Sequence, residues 1–263
     1  MLYKTDYHIH TTFSDGKAAP EEYLGKAIAT GLSEIGFSEH LSLFRENQDW
    51  CMDPGNTQNY IGYIEALKMN SNGLIIRKGL EIDYYPGKEA EIEQFLSTID
   101  LDYRIGSVHY LGEKTVDNGP DFYEGKDIDR LYDNYFEMVI SAVSSGLFDI
   151  IAHCDLIRIY GYKPVSDQES NYLRLARAMK VHNVAFEVNT NGRNRPLGDF
   201  YPDRRFLSVF RKEGVPVCVN SDAHMPERVG QFFDEAYQLL ESAGFTETAT
   251  FSKRSRIMKP FKL

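Results

Sequence analysis

Two histidines two residues apart, His8 and His10, lie in a segment that reads as a strand. An extended backbone sends successive side chains to opposite faces, so both imidazoles point the same way while Ile9 points outward, and one cation can take both. Asp15 follows in a Thr-Thr-Phe-Ser-Asp-Gly turn, and His40 ends Ile-Gly-Phe-Ser-Glu-His. Glu81 stands in the largely apolar run Lys-Gly-Leu-Glu-Ile-Asp, where burying a carboxylate without a cation or hydrogen-bonding partner is expensive. Asp83 has the same strand parity and is the second choice for that role. His109 and His153 each end a buried-looking strand, and Asp222 and His224 stand two apart after the last strong strand.

Six of the chain's seven histidines therefore sit beside strand ends, and the seventh, His182, lies near a helix end and reads as structural or exposed. The nine residues His8, His10, Asp15, His40, Glu81, His109, His153, Asp222 and His224 exceed the about four to six ligands of one ion, so two or three cations are implied. Mixed imidazole and carboxylate suits zinc, manganese or iron better than calcium. A centre of that kind can hold a hydroxide nucleophile and neutralise phosphate oxygens together, which makes phosphoester hydrolysis the leading reaction. Phosphate also calls for forked guanidinium donors: Arg158 and Arg195 follow the fifth and sixth strands, with Arg193 as the alternative to Arg195. A thiol or serine nucleophile is disfavoured, because Cys154 faces away from its neighbour His153 on a strand and Ser221 lacks the Gly-x-Ser-x-Gly elbow.

The elements that must position these residues alternate along the whole chain. Strands are predicted near 4–10, 34–38, 74–82, 103–109, 148–153, 183–189 and 215–221, and helices near 20–31, 57–70, 88–97, 127–145, 168–182, 202–213 and 231–243. Pro20 followed by Glu21 and Glu22 marks the first helix start, and Tyr23, Leu24, Ala27 and Ile28 read as its buried face. Strand–helix repeats build either an open sheet or a closed barrel. Ligands spread over nearly every strand converge on one point only in a barrel, so a single α/β domain over 1–263 is expected. The irregular stretches 41–56 and 110–126 follow His40 and His109 and are candidates to lie over the mouth.

A formal charge of −10 argues against a polyanion-binding surface, and no glycine-rich phosphate loop is present. The start of the chain has neither a signal-peptide pattern nor a membrane span, so a cytoplasmic location without a membrane partner is expected. Cys51, Cys154 and Cys218 are odd in number and unpaired in spacing, which reads as reduced thiols.

The order His-x-His, Asp, His, Glu, His, His, Asp-x-His resembles the polymerase and histidinol phosphatase (PHP) superfamily over essentially the whole chain. Asp-Tyr-His-Ile-His-Thr-Thr-Phe-Ser-Asp-Gly, Gly-Leu-Glu-Ile-Asp-Tyr-Tyr, Gly-Ser-Val-His-Tyr, Asn-Thr-Asn-Gly and Ser-Asp-Ala-His resemble its histidinol-phosphatase branch. The resemblance implies a distorted TIM-like barrel of seven strands with a trinuclear centre. His8, His10, Glu81 and Asp222 would hold the first metal, Glu81 would bridge to a second held by His109 and His153, and Asp15, His40 and His224 would hold the third. Hydroxide between the first two would attack phosphorus in line, with L-histidinol phosphate as substrate and histidine biosynthesis as the setting. Another phosphomonoester or a phosphotyrosine protein is the enzymatic alternative, and a metal-stabilised binding module is the non-enzymatic one. One departure is Glu39 before His40, where that branch more commonly has Asp.

Overall fold

The computed structural model describes residues 3–44, 48–69, 71 and 73–261. Seven strands form one parallel sheet in chain order: β1 (Thr5–Asp6), β2 (Glu34–Leu41), β3 (Ile75–Asp83), β4 (Tyr103–Ser107), β7 (Ile150–Ile151), β8 (Ala185–Asn189) and β9 (Val217–Asn220). Among the described residues there are also two antiparallel hairpins, β5 (Tyr110–Leu111) with β6 (Lys114–Thr115) and β10 (Glu247–Ser252) with β11 (Ser255–Pro260). The helices are α1 (Pro20–Ala29), α2 (Thr57–Lys68), α3 (Glu89–Leu96), α4 (Ile128–Ser144), α5 (Glu169–His182), α6 (Leu207–Glu213) and α7 (Phe233–Ser242). Among the described residues no helix is long and apolar enough to cross a membrane.

The first and last strands meet, and the sheet is a nearly closed, distorted TIM-like barrel. At the seam Ile9 bridges Ala223 in parallel, with the His10 amide donating to the Ala223 carbonyl at 2.9 Å. Further down, the Tyr7 amide is taken by the Asn220 side-chain oxygen at 2.9 Å. On the β2 side Ser38 Oγ takes the Ile9 amide at 3.3 Å, so side chains replace strand carbonyls on both flanks and the predicted strand 4–10 survives as a ladder only at Thr5–Asp6. The predicted strand 148–153 is likewise shortened to Ile150–Ile151, since the chain turns at Ala152 and bends His153 over the barrel.

Helices cover the outside because their apolar stripes need burial. Pro20 opens α1, and Glu22 reaches back to accept the Ala19 amide at 2.9 Å. Tyr23, Leu24 and Ala27 are buried as expected, but Ile28 is 46% exposed: it lies beyond the edge of the stripe that meets the sheet. The barrel interior is a separate apolar plug in which Tyr7, Tyr103, Ile105 and Ile150 pack with Ala249 and Phe251 of the C-terminal hairpin. Gly36 and Gly79 leave the space that the Tyr103 ring fills, since a Cβ at either would overlap it. The Tyr103 hydroxyl then donates to the Tyr7 carbonyl at 2.6 Å, tying β4 across the interior to the first strand, so this buried polar group is not stranded. Sequence periodicity did not anticipate β10–β11, which plugs the end of the barrel away from the histidines.

Candidate metal centre

On β3 the residues of one parity run Gly79, Glu81, Asp83, so the strand that admits the Tyr103 ring low in the barrel presents Glu81 higher up. Glu81 is 1% exposed and sits at the middle of the cluster. Its Oε2 lies 2.7 Å from His40 Nδ1, 3.1 Å from His8 Nε2 and 3.4 Å from His10 Nε2. Its Oε1 lies 3.2 Å from His153 Nε2 and 3.8 Å from His109 Nε2. Asp222 Oδ1 stands 3.4 Å from His10 Nε2 and 3.8 Å from His8 Nε2, and His224 Nε2 is 3.3 Å from Asp15 Oδ2. All nine sequence-derived candidates are therefore brought together at one end of the barrel.

Among the described residues four overlapping sets could each enclose a cation: His8, His10 and Asp222; His8, Glu81 and His153; His40, Glu81 and His109; and His10, Asp15, His40 and His224. Both Glu81 oxygens, His8 Nε2, both His10 nitrogens and Asp15 Oδ1 are buried without a hydrogen-bond partner. Buried polar atoms are normally satisfied, and so many orphans aimed at shared points fit cations in a way a purely structural cluster does not. The electrostatics agree. Burial opposes charge on Glu81, but His8 and His40 outweigh it and hold the carboxyl well below its ordinary range. Burial, with His40 and His224 alongside, pushes the His10 imidazole down to about 3, leaving one ring nitrogen's lone pair open to a metal.

Surrounding side chains aim these groups. Asp83, the second-choice ligand, belongs to none of the four sets; its Oδ1 is 2.6 Å from His109 Nδ1, so it orients that ring. Burial favours neutral His109, yet Asp83 overcomes it and raises the imidazole to about 10. Glu39 accepts from the Thr11 amide at 3.0 Å and the Ser14 hydroxyl at 2.5 Å, bracing the turn that carries Asp15. Gly16 packs on the His10 carbonyl with no room for a Cβ, and the Lys17 amide donates to the His224 carbonyl at 2.8 Å, which draws that turn against the last ligand pair. Asn189 and Asn191 each donate to Asp222 Oδ2 at 3.3 Å. Sequence reading passed over Glu187, a buried acid in the apolar strand Ala-Phe-Glu-Val-Asn, although the burial cost that marked Glu81 applies equally to it.

Above the cluster opens a cleft of about 630 Å³. Gln48 and Trp50 line it from the 41–56 stretch, whose residues 45–47 lie outside the described residues, and Tyr110, Glu113, Asp117 and Asp121 line it from 110–126. Gln48 Oε1 ties the two stretches together, accepting from Trp50 Nε1 at 2.8 Å and the Tyr110 hydroxyl at 2.9 Å. Arg195 lines the cleft. Arg158 does not: its guanidinium is buried against Asp155 at 3.0 Å and the Phe200 carbonyl at 3.1 Å, because the fully buried Asp155 demands a counter-charge. Arg193 is committed to Glu235. Cys154 and Cys218 are buried, with their thiols pushed up by burial, and Ser221 donates to Asp6, so none is a nucleophile. His182 closes α5 in an exposed position.

A parallel barrel that gathers imidazoles and carboxylates from nearly every strand end into one mouth defines a class of metal-centred α/β barrel enzymes. The chain belongs to the PHP domain family, whose pattern matches residues 6–191; Asp222 and His224 lie beyond the matched span. It is 36% identical over 262 residues to a probable histidinol-phosphatase of Deinococcus radiodurans, covering 97% of this chain and 98% of that one. It is 30% identical over 261 residues to the histidinol-phosphatase of Lactococcus lactis, covering 95% and 94%. Among solved structures, the Lactococcus lactis histidinol phosphate phosphatase complexed with zinc, L-histidinol and phosphate superposes with a TM-score of 0.85 at 28% identity, covering 98% of this chain and all of that one.

Proposed function

We propose that the chain, acting over 1–263 as one phosphoesterase domain, is a metal-dependent histidinol-phosphatase that hydrolyses L-histidinol phosphate to L-histidinol and phosphate in cytoplasmic histidine biosynthesis. The observation that carries this reading is the convergence of nine imidazole and carboxylate side chains, most of them buried, beneath a cleft whose wall bears both a guanidinium and carboxylates. Full-length similarity to histidinol-phosphatases supports it.

Two or three divalent cations of zinc, manganese or iron held by the nine residues would supply Lewis-acid charge to phosphate oxygens and an activated water. Glu81 sits where two of the candidate sets share one carboxylate, so it sets their spacing. Arg195, on the cleft wall, is the protein's forked donor for the phosphate oxygens. Asp117, Asp121 and Glu113 face the same cleft and would receive the cationic amine and imidazole end of the substrate. A small phosphomonoester fits this enclosure of opposite charges.

The test is a substrate panel on metal-loaded protein. L-histidinol phosphate should turn over faster than a phosphotyrosine peptide or p-nitrophenyl phosphate, and product phosphate from a single turnover in labelled water should carry one solvent oxygen. Preference for the phosphotyrosine peptide would reassign the substrate, and phosphate without solvent oxygen would exclude direct attack by water.

A further inference from the structure

Glu187 is fully buried on β8, beneath the metal candidates and outside all four of their sets. Four groups converge on its carboxylate. Oε1 lies 2.9 Å from the His153 amide and 2.7 Å from Asn189 Nδ2, and Oε2 lies 2.7 Å from Asn220 Nδ2 and 3.0 Å from His8 Nδ1. The orientation of both amides is decided elsewhere. Asn220 Oδ1 accepts from the Tyr7 amide and Asn189 Oδ1 from the Asn191 amide, each at 2.9 Å, so each must turn its NH₂ toward Glu187. The His153 amide and the two NH₂ groups are obligate donors, and an ionised carboxylate accepts all three and can take His8 Nδ1–H as the fourth.

The consequence for His8 follows from its two ring nitrogens. With Nδ1–H donated to Glu187, the neutral ring carries its lone pair on Nε2, which is buried without a hydrogen-bond partner 3.1 Å from Glu81 Oε2 and 3.8 Å from Asp222 Oδ1. The same carboxylate seats His153 through the backbone at the turn where β7 ends. We propose that Glu187 is a positioning residue that fixes the His8 tautomer and the placement of His153, so that one outer carboxylate aligns ligands of two neighbouring cation positions. The proposal rests on the metal-ligand reading of His8 and His153. Asp83 provides the contrast, since it holds His109 alone among the histidines.

A glutamine at 187 would turn an NH₂ group toward one of the donors. Its relief is for His8 to move its proton to Nε2, where it blocks the metal. The experiment compares zinc-loaded wild type, Glu187→Gln, Glu187→Asp and Asp83→Asn. Long-range ¹H–¹⁵N spectra of the histidines read the tautomers, zinc content after graded chelation reads retention, and thermal unfolding in EDTA reads stability apart from metal. Glu187→Gln should shift the His8 proton to Nε2 and weaken retention of two cations by about 10–100-fold, the range typical of outer-shell losses. Asp83→Asn should disturb the His109 signals alone. An unchanged His8 tautomer and wild-type retention in Glu187→Gln would overturn the proposal even if its melting temperature fell, because that is the result of a merely structural role. If Glu187→Gln does not fold, Glu187→Asp decides: an intact tautomer with weakened retention supports the proposal, and undiminished retention overturns it. Wild type that retains no zinc would instead overturn the metal-ligand reading beneath it.

Discussion

Replacing Glu81 by glutamine should remove at least one cation's share of the stability that metal gives the protein. Glu81 is 1% exposed, both its oxygens lack hydrogen-bond partners, and five imidazoles lie within 3.8 Å of it. Without metal, the cost of burying that charge is outweighed by the imidazoles of His8 and His40, which take up protons beside it. Glutamine keeps the shape but loses the pairing with those imidazoles and leaves poorly satisfied polar atoms at about 1–3 kcal/mol, so in EDTA the variant should melt below wild type. With metal the gap widens, because each cation bound at about 100 times its dissociation constant adds about 2.7 kcal/mol to the native state. Glu81 belongs to two of the four candidate sets, so the variant should lose at least one such increment. For a chain of this size that is about 5–10 °C in melting temperature, at about 2–4 °C per kcal/mol. Turnover should fall by about a thousandfold, equivalent to about 4 kcal/mol of transition-state stabilisation. Melting curves with and without EDTA, together with metal content by mass spectrometry, measure all the terms. An equal zinc-dependent gain in melting temperature for the two proteins would refute the assignment of Glu81 to the centre.

The two arginines should separate by assay. Arg195→Lys should lower kcat/KM about 10–100-fold through loss of a charged hydrogen bond worth about 1.5–3 kcal/mol while leaving the melting temperature near wild type. Arg158→Met should cost about 3–5 kcal/mol of stability by stranding Asp155, and a cost below 1 kcal/mol in urea unfolding would contradict the buried pairing. Gly79→Ala should destabilise by about 1–3 kcal/mol because its Cβ meets the Tyr103 ring, and an unchanged melting curve would show that the plug has slack. Trp50, the chain's one tryptophan, has its ring centre 4.9 Å from that of His40 and 5.4 Å from that of His109. Its fluorescence should therefore change with cobalt or manganese titration, and a flat signal under conditions where mass spectrometry finds the metal bound would displace Trp50 from the centre.

The amino-acid order alone determined the ligand candidates and the class of element that carries each. Period-two alternation aims His8 with His10, a carboxylate in an apolar strand needs a partner, and imidazoles at successive strand ends have one place to meet if the sheet closes. These are local rules, readable within a few residues. Long-range contacts decided the remainder. Seam closure depends on Asn220 meeting Tyr7, the plug on the C-terminal hairpin reaching Tyr103, and the choice of Arg195 over Arg158 on where Asp155 is buried. The roles of Asp83 and Glu187 are of the same kind: a buried acid announces that it needs a partner, but whether that partner is a cation, an imidazole N–H or a backbone amide depends on which chain segments pack against it.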